Sequence, residues 1–203
     1  MKVILSTKNR NKVREFDKIA EKYDLDIVTR DEAGVPDIDI VEDGATFEEN
    51  SFKKAFGIFE IAGEATMADD SGLVVDALDG APGIFSARFG GDEPNNAKLL
   101  RLMQDVPSEA RTAKFVCVIT LLIPKDGIGG AGYDKIVARG ECKGHIIFEE
   151  RGSNGFGYDP LFVPDGYDKT FSELPADVKN GISHRANALF ELERKLIACG
   201  IAK

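Results

Sequence analysis

Two adjacent aspartates, Asp69 and Asp70, stand in the otherwise largely apolar segment Thr66–Val75. A short apolar run predicts a buried strand, on which neighbouring side chains point to opposite faces. A buried carboxylate is costly unless it is paired, hydrogen-bonded or bound to a metal, so these residues are candidates for ion pairing or metal binding. The alternative is a strand-to-turn junction in which the aspartates and Ser71 only satisfy turn amides, with Gly72 allowing the backbone to turn.

A cationic segment near the start of the chain is a candidate phosphate site. The apolar strand Val3–Leu5 leads into the polar stretch Ser6–Lys12, and apolar residues at helical spacing follow. A helix N-terminus presents free amides and a positive dipole end, and Lys8, Arg10 and Lys12 add cationic side chains, a combination that suits phosphate. The glycines of a P-loop are missing. A solvated basic helix start explains the same residues equally well.

The next predicted helix carries clear end signals and lies directly after an acidic loop. Thr46 and Glu49 form a capping box, and Gly63 marks the end of the helix. Asn50 and Lys54 stand four residues apart and share one face of this helix.

Glu42, in the acidic loop before that helix, is a candidate partner for the Asp69–Asp70 carboxylates. From spacing alone it is more simply one more acid in an acidic loop. Lysines that hold phosphate oxygens, together with carboxylates that bind Mg²⁺, would suit a nucleotide with a divalent metal.

An aromatic, glycine-rich turn and a cationic segment mark the last quarter of the chain. Phe156 lies between glycines in the turn, where it could stack on a nucleotide base or pack into the core. Lys179, His184 and Arg185 follow, just before and at the start of a final amphipathic helix. His184 alone would more often be an ordinary capping or surface residue than a ligand.

Further elements complete an α/β pattern. A helix is predicted over 95–104, and two long strands over 113–123 and 135–147. The glycines of 127–132 are expected to form a flexible hairpin tip between those strands. A short strand is predicted over 161–163.

Composition limits the class of protein. The chain has 203 residues, 43% of them hydrophobic and 30% charged, which predicts one large globular α/β domain or two lobes that share a core. A net charge of -9 argues against a surface that tracks a nucleic acid polymer. Three separated cysteines suit a reducing compartment. With no signal-peptide pattern and no apolar run of ~20 residues to cross a membrane, a cytoplasmic protein is expected.

Four segments together resemble the inosine triphosphate pyrophosphatase family, the non-canonical purine nucleoside triphosphate pyrophosphatases of the Ham1 type. Their order along the chain is the same as in the family, and the resemblance extends from the Thr7 region to the final helix. The segments are Ala68-Asp69-Asp70-Ser71-Gly72-Leu73, Gly80-Ala81-Pro82-Gly83-Ile84-Phe85-Ser86-Ala87-Arg88-Phe89, Phe156-Gly157-Tyr158-Asp159-Pro160 and Ser183-His184-Arg185-Ala186.

The resemblance implies a fold and an activity. The fold would be α/β, with a long curved mixed sheet flanked by helices, in a single domain over 1–203 with two lobes and a central cleft. The activity would be Mg²⁺-dependent hydrolysis of ITP, dITP or XTP to the monophosphate and pyrophosphate, which removes these purine nucleoside triphosphates from the nucleotide pool. The resemblance also implies a homodimer.

Matching the motifs position by position implies roles for individual residues. The triphosphate would be bound by Thr7, Lys8, Asn9, Arg10, Asn11 and Lys12. Ser71 would contact the substrate. The base would be bound by Phe156 stacking on it, by Gly157, Tyr158 and Asp159 around it, and by Lys179, His184 and Arg185 on the purine edge. Mg²⁺ would be held by Glu42 and Asp70, with Asp70 also the general base. Asn50 and Lys54 also match a family pattern and would support either the metal site or the phosphate site.

The chain departs from the family pattern at one place, and its sequence also allows two alternative functions. Many relatives have glycines where this chain has Lys8 and Asn11, and the larger side chains could narrow the approach of the phosphates. A nucleotide-binding regulatory module would need the basic turn and the aromatic residue but not Glu42 and Asp70 together. A related pyrophosphatase acting on modified pyrimidine nucleotides would differ only in its choice of base.

Overall fold

The structure is a computed structural model that describes residues 1–7, 9–20, 25–125 and 132–201. The predictions for Lys8 and for nearly all of the hairpin tip over 127–132 fall outside the described residues. Within the described part of the chain, no helix combines the length and the apolar character needed to cross a membrane.

In the part of the chain that the structure describes, six strands form one mixed sheet in the order β2-β1-β3-β4-β5-β6. β1 pairs in parallel with β2 and with β3, whereas β5 and β6 are antiparallel. The predicted α/β class with a mixed sheet is therefore confirmed. The strands are β1 (Lys2–Leu5), β2 (Asp26–Thr29), β3 (Thr66–Val75), β4 (Thr112–Pro124), β5 (Tyr133–Ile146) and β6 (Phe162–Pro164).

Five α-helices accompany these strands in the described residues, and three short 3₁₀ turns lie at Asp76–Leu78, Gly83–Arg88 and Ser108–Ala110. The predicted helices are present. A further helix over Ala176–Ile182 was not predicted, because it is only seven residues long. The helices are α1 (Arg10–Ala20), α2 (Phe47–Ala62), α3 (Asn95–Leu102), α4 (Ala176–Ile182) and α5 (His184–Ala198).

The ends of α2 follow the capping signals in the sequence. The Thr46 hydroxyl accepts a hydrogen bond from the Glu49 amide at 3.1 Å, and Gly63 ends the helix in the left-handed conformation with φ 63°. The Glu49 carboxylate accepts from the Ala45 amide at 2.6 Å, so both residues of the capping box satisfy free amides at the helix start. These caps fix where α2 begins and therefore where Lys54 lies on it.

β3 corrects the interpretation of the two aspartates as a junction between a strand and a turn. The strand continues without a break from Thr66 through Asp69, Asp70 and Gly72 to Val75. The turn reading fails because both carboxylates are buried within the strand and are paired with side chains from distant segments. The aspartates therefore have the alternation of a strand and not the local hydrogen bonding of a turn.

The chain divides into two compact units, each built from separate stretches of sequence. Unit 1 contains residues 1–70, 117–140 and 185–203. Its main core joins β1, α1, β4, β5 and α5, with Leu5, Phe16, Ile119 and Leu192 among its buried residues. The prediction of a single domain with two lobes around a cleft stays a prediction.

Unit 2 contains residues 71–116 and 141–184. Its core is rich in aromatic residues, with Phe115, Phe162 and Phe171 in mutual ring contact at centroid distances of 4.8 to 5.9 Å. Tyr158 belongs to the same buried cluster. The turn that carries Phe156 is thus packed against the core of unit 2 through Tyr158.

Candidate functional site

The start of α1 is organised by two polar side chains. The Asn9 carbonyl oxygen accepts hydrogen bonds from the amides of Asn11 and Lys12 at 3.0 and 3.3 Å, so Asn9 caps the helix. The Thr7 hydroxyl accepts from the Asn9 amide at 3.2 Å. Arg10 and Asn11 are exposed. The predicted phosphate segment is therefore a capped helix start with exposed polar and cationic side chains, as its sequence indicated.

Asp69 connects this helix start to the sheet. Its carboxylate accepts a hydrogen bond from Lys12 Nζ at 2.8 Å, and its side chain is completely buried. Arg185, at the start of α5, pairs with Glu15 of α1 at 2.6 Å. Burial alone would raise the pKa of Asp69, but the positive charges of Lys12, Arg185 and Lys54 outweigh it and hold that pKa well below its ordinary range.

Asp70 faces a different lysine, as expected for the next residue of a strand. Lys54 Nζ of α2 donates to Asp70 Oδ1 at 2.8 Å and to Glu42 Oε2 at 2.8 Å, so one ammonium group joins the two carboxylates predicted to bind metal. The buried Asn50 side chain accepts from the Gly44 amide at 2.8 Å and thereby holds the loop just after Glu42. We call Lys12, Glu42, Lys54, Asp69 and Asp70 the carboxylate–lysine cluster.

The two aspartates of this cluster have opposite electrostatic surroundings. Burial raises the pKa of Asp70 above its ordinary value, and attraction from Lys54 and Lys12 offsets this only in part. Burial also disfavours the charged form of Lys54, but the charges of Asp70 and Asp69 outweigh it and raise the pKa of that lysine. A buried carboxylate with a raised pKa is a stronger proton acceptor than an ordinary aspartate, which suits a general base.

The cluster fits a magnesium ion by its donor chemistry. Glu42 and Asp70 supply carboxylate oxygens, and the buried Asp70 Oδ2 has no hydrogen-bond partner among the described residues. The described residues contain no group of three or more histidine, cysteine or acidic side chains that could hold a metal. Such a set is not required, because Mg²⁺ commonly binds through one or two carboxylates and completes its shell with water and substrate phosphates.

Phe156 lies on the aromatic turn, residues 155–159 of unit 2. The half-buried ring lies 5.2 Å from Lys179 Nζ, measured to the ring centroid. Lys179 Nζ also donates to Asp159 Oδ2 at 2.7 Å, and the same oxygen accepts from the Phe156 amide at 2.8 Å. Asp159 therefore closes the turn, and Lys179 neutralises its buried charge while lying against the aromatic ring.

The other residues predicted around the base have mixed positions. Tyr158 is buried, and its hydroxyl donates to the Ser86 carbonyl at 2.9 Å. His184 is buried and stacks on Phe115 at 4.8 Å with an interplanar angle of 13°. Ser71 is half-buried in β3. Tyr158 and His184 are thus buried within unit 2, and the prediction that they shape the base pocket stays a prediction.

The predicted site residues separate into two groups, one in each unit. In unit 1 the structure brings together the α1 start, Glu42, Lys54 and Asp70. Arg185, which was predicted to contact the purine, belongs to the same group through its ion pair with α1 and its charge near Asp69. In unit 2 it brings together Phe156, Gly157, Tyr158, Asp159 and Lys179, with His184 beside Phe115.

Sequence reasoning gave no role to Glu15, the partner of Arg185, or to Asn96, whose amide Nδ2 donates to the Gly157 carbonyl at 3.2 Å. Helical spacing could have indicated that Glu15 lies one turn after Lys12. The partner of Asn96 lies 61 residues away, and no local signal identifies it.

Comparisons with known proteins agree on one family. The family model described as the Ham1 family matches residues 3–195. A dITP/XTP pyrophosphatase of Clostridium perfringens is 47% identical, over 96% of this chain and 97% of the relative. One of Oceanobacillus iheyensis is 43% identical, over 96% of this chain and 98% of the relative.

Solved structures give the same result. The Staphylococcus aureus Ham1 protein superposes with a TM-score of 0.81 at 36% identity, covering 98% of this chain and 99% of that one. A nucleoside-triphosphatase, or dITP/XTP pyrophosphatase, of Mycobacterium abscessus gives 0.73 at 38% identity, covering 95% and 98%. Fold and site define an α/β protein with a buried carboxylate–lysine cluster and an aromatic turn. The chain belongs to the Ham1 family, which confirms the resemblance found in its sequence.

Proposed function

We propose that this protein is a nucleoside-triphosphate pyrophosphatase that hydrolyses dITP, XTP and ITP to the monophosphate and pyrophosphate with Mg²⁺. Relatives more than 40% identical over nearly the whole chain are named dITP/XTP pyrophosphatases. The single observation that carries the proposal is Asp70, a buried carboxylate with a raised pKa that shares Lys54 with Glu42. Such an arrangement suits water activation beside a highly charged substrate.

The helix start and the lysines would bind the triphosphate. α1 offers its positive end and the exposed Arg10, while Lys12 and Lys54 hold their ammonium groups against carboxylates. Both lysines have three donors, so each can keep its carboxylate partner and still donate to a phosphate oxygen. Neutralising the triphosphate charge is the largest requirement for attack at phosphorus, and fixed cations meet it without reorganisation.

Glu42 and Asp70 would hold Mg²⁺ in this proposal. When bound, the metal would neutralise phosphate charge and lower the pKa of nearby water. Asp70 Oδ2 would accept a proton from the attacking water, while Lys54 holds the other oxygen of the same carboxylate. The water oxygen would form a bond to the α-phosphorus, and the bond to the bridging oxygen of the β-phosphate would break to release pyrophosphate.

Base selection would belong to unit 2. Phe156 would stack on the purine, and a cationic donor such as Lys179 would favour the 6-oxo oxygen of hypoxanthine or xanthine over the 6-amino group of adenine. In the structure Lys179 already donates to Asp159, so the carboxylate fixes where the ammonium group lies. The roles of His184 and Arg185 at the purine edge are part of the same proposal.

The resemblance to the family supports two further parts of the proposal. The protein would act as a homodimer, and it would work in the cytoplasm, where nucleotide pools are maintained. Neither part depends on the geometry of the carboxylate–lysine cluster, so each is open to a separate test.

A triphosphate panel tests the function. Pyrophosphate release is measured with dITP, ITP, XTP, GTP, ATP and modified pyrimidine triphosphates, with Mg²⁺ and with excess EDTA. We expect Mg²⁺-dependent release from dITP, ITP and XTP well above that from ATP and GTP. Faster hydrolysis of a modified pyrimidine triphosphate would refute the proposed purine specificity. Binding of triphosphates without hydrolysis would refute the proposal that the protein is an enzyme. Asp70→Asn should reduce turnover by orders of magnitude, because it removes a metal ligand and the general base together.

A further inference from the structure

The segment Gly80–Phe89 has no part in the mechanism above, although it is one of the four motifs of the sequence. Ser86 lies in the 3₁₀ turn Gly83–Arg88, and it bonds both to β3 and to the aromatic turn; we call this connection the Ser86 junction. The buried Ser86 hydroxyl accepts a hydrogen bond from the Leu73 amide of β3 at 2.9 Å and donates to the Gly83 carbonyl at 2.6 Å. The hydroxyl therefore ties this turn to β3, two residues after Ser71.

The backbone carbonyl of Ser86 makes the second half of the junction. It accepts from the Tyr158 hydroxyl at 2.9 Å and from Asn95 Nδ2 at 3.1 Å. Burial raises the pKa of the Tyr158 phenol, so the hydroxyl remains a donor at all physiological pH. The Asn95 side chain also accepts from the Gly90 amide at 2.5 Å, which fixes the other end of the segment.

Tyr158 in turn belongs to the aromatic turn that presents Phe156. That turn is closed tightly, because a Cβ added at Gly155 would lie 2.2 Å from Asp159 Oδ2. Asn96, at the start of α3, adds a second tie from outside the turn through its bond to the Gly157 carbonyl. The turn is thus held by Asp159 and Lys179 and, in addition, by Ser86 and Asn96.

We propose that Ser86 is a positioning residue for base recognition, which fixes the aromatic turn relative to β3 through Tyr158. The inference rests on the proposed function in one respect, that Phe156 stacks on the purine. Ser86 would act through Tyr158, whose hydroxyl donates to its carbonyl, and not by contact with the base or the phosphates. Loosening this junction should therefore weaken recognition of the base without weakening recognition of the triphosphate.

The first experiment measures the turn directly and does not depend on catalysis. The chain contains no tryptophan, so Phe156→Trp places a single fluorescent reporter on the turn. In that background Tyr158→Phe removes only the hydroxyl that bonds to Ser86. We expect acrylamide quenching of the tryptophan to increase with Tyr158→Phe. The matched control is Tyr167→Phe, the same change at an exposed tyrosine of unit 2, which should leave the quenching constant at the parent value.

The second experiment compares a substrate that has a base with a ligand that has none. In the wild-type background, Tyr158→Phe should raise KM for ITP about three- to tenfold, as the loss of one neutral hydrogen bond predicts, with kcat within about twofold. The inhibition constant of inorganic triphosphate should not change. Ser86→Ala should also raise KM for ITP. The double variant should raise KM by less than the product of the two single effects, because both changes interrupt the same connection between β3 and the aromatic turn.

Two results would overturn the inference. In the first, the quenching constant and the KM for ITP of Tyr158→Phe are the same as those of Tyr167→Phe. The other is a rise in the inhibition constant of inorganic triphosphate equal to the rise in KM, which would show that the junction only supports the fold. If the wild-type protein releases no pyrophosphate, the proposed function is wrong. The quenching comparison would still test whether the bond between Tyr158 and Ser86 holds the aromatic turn in place.

Discussion

Asp69→Asn and Asp70→Asn should change the stability of the protein very differently, although the two residues are adjacent. The Asp69 side chain is 0% exposed and that of its partner Lys12 is 15% exposed. Removing one member of a buried ion pair costs about 3–5 kcal/mol. We expect Asp69→Asn to lower the free energy of unfolding by about 3 kcal/mol, the lower end of that range, because Lys12 can turn its ammonium group to solvent.

Asp70→Asn should leave the free energy of unfolding within about 1 kcal/mol of wild type, since burial opposes the charge of Asp70 and Lys54 keeps Glu42 as a partner. The measurement is urea unfolding at pH 7 with EDTA, which removes any bound metal. Thermal midpoints give a second measure, and Asp69→Asn should lower the midpoint by about 6–12 °C in a chain of this size. Catalysis should show the opposite order, with Asp70→Asn the more damaging change.

The pH dependence of this difference has a definite sign. The pKa of Asp69 is lowered in the folded protein, so its ion pair stabilises the fold above the ordinary value of 3.8 and is lost as the pH falls below it. The gap between wild type and Asp69→Asn should therefore narrow below about pH 4. Equal stability of the two variants at pH 7, or a loss below about 1 kcal/mol for Asp69→Asn, would refute the assignment of Asp69 as the buried anchor of Lys12.

Three other predictions follow from the proposal. Lys179→Ala should lower kcat/KM for ITP and XTP by about ten- to a hundredfold and for ATP much less, because ATP offers no 6-oxo acceptor; equal losses would assign Lys179 to phosphate or to structure. Phe156→Ala should weaken all purine triphosphates together, by about 1–3 kcal/mol in binding, and a loss confined to one base would contradict stacking. Light scattering after size exclusion should give a homodimer, and a clean monomer at micromolar protein would count against it.

Local signals in the sequence predicted most of the fold. The capping box of Thr46 and Glu49 and the glycine at position 63 located α2 because those residues satisfy backbone groups within a few positions of themselves. The long strand β4 was equally clear from its apolar content, and β5 was predicted as the second strand of the same hairpin. The short α4 was missed, because seven residues that include Gly181 carry too little periodicity to be distinguished from a polar loop.

The partners of charged residues could not be predicted in the same way. Asp69 and Lys12 are separated by 57 positions, and Arg185 and Glu15 by 170, so no spacing rule connects them. For Asp69 and Asp70 the sequence left a strand-to-turn junction open as an alternative, and the unbroken strand β3 excludes it. The structure pairs the guanidinium group of Arg185 with Glu15 on α1, and the purine contact that the family resemblance implies for Arg185 stays a prediction.

The core of unit 1 constrains how the protein can be made in the cell. Leu5 of β1 and Leu192 of α5 belong to the same buried cluster, so the first strand completes its core only after the last helix has been synthesised. At the usual rates of translation that interval is roughly 10–40 s. During this interval the apolar residues of β1 are shielded from solvent only by partial packing or by chaperones. Removal of α5, which carries neither Asp70 nor Phe156, should therefore yield an aggregated chain and not merely a weaker enzyme.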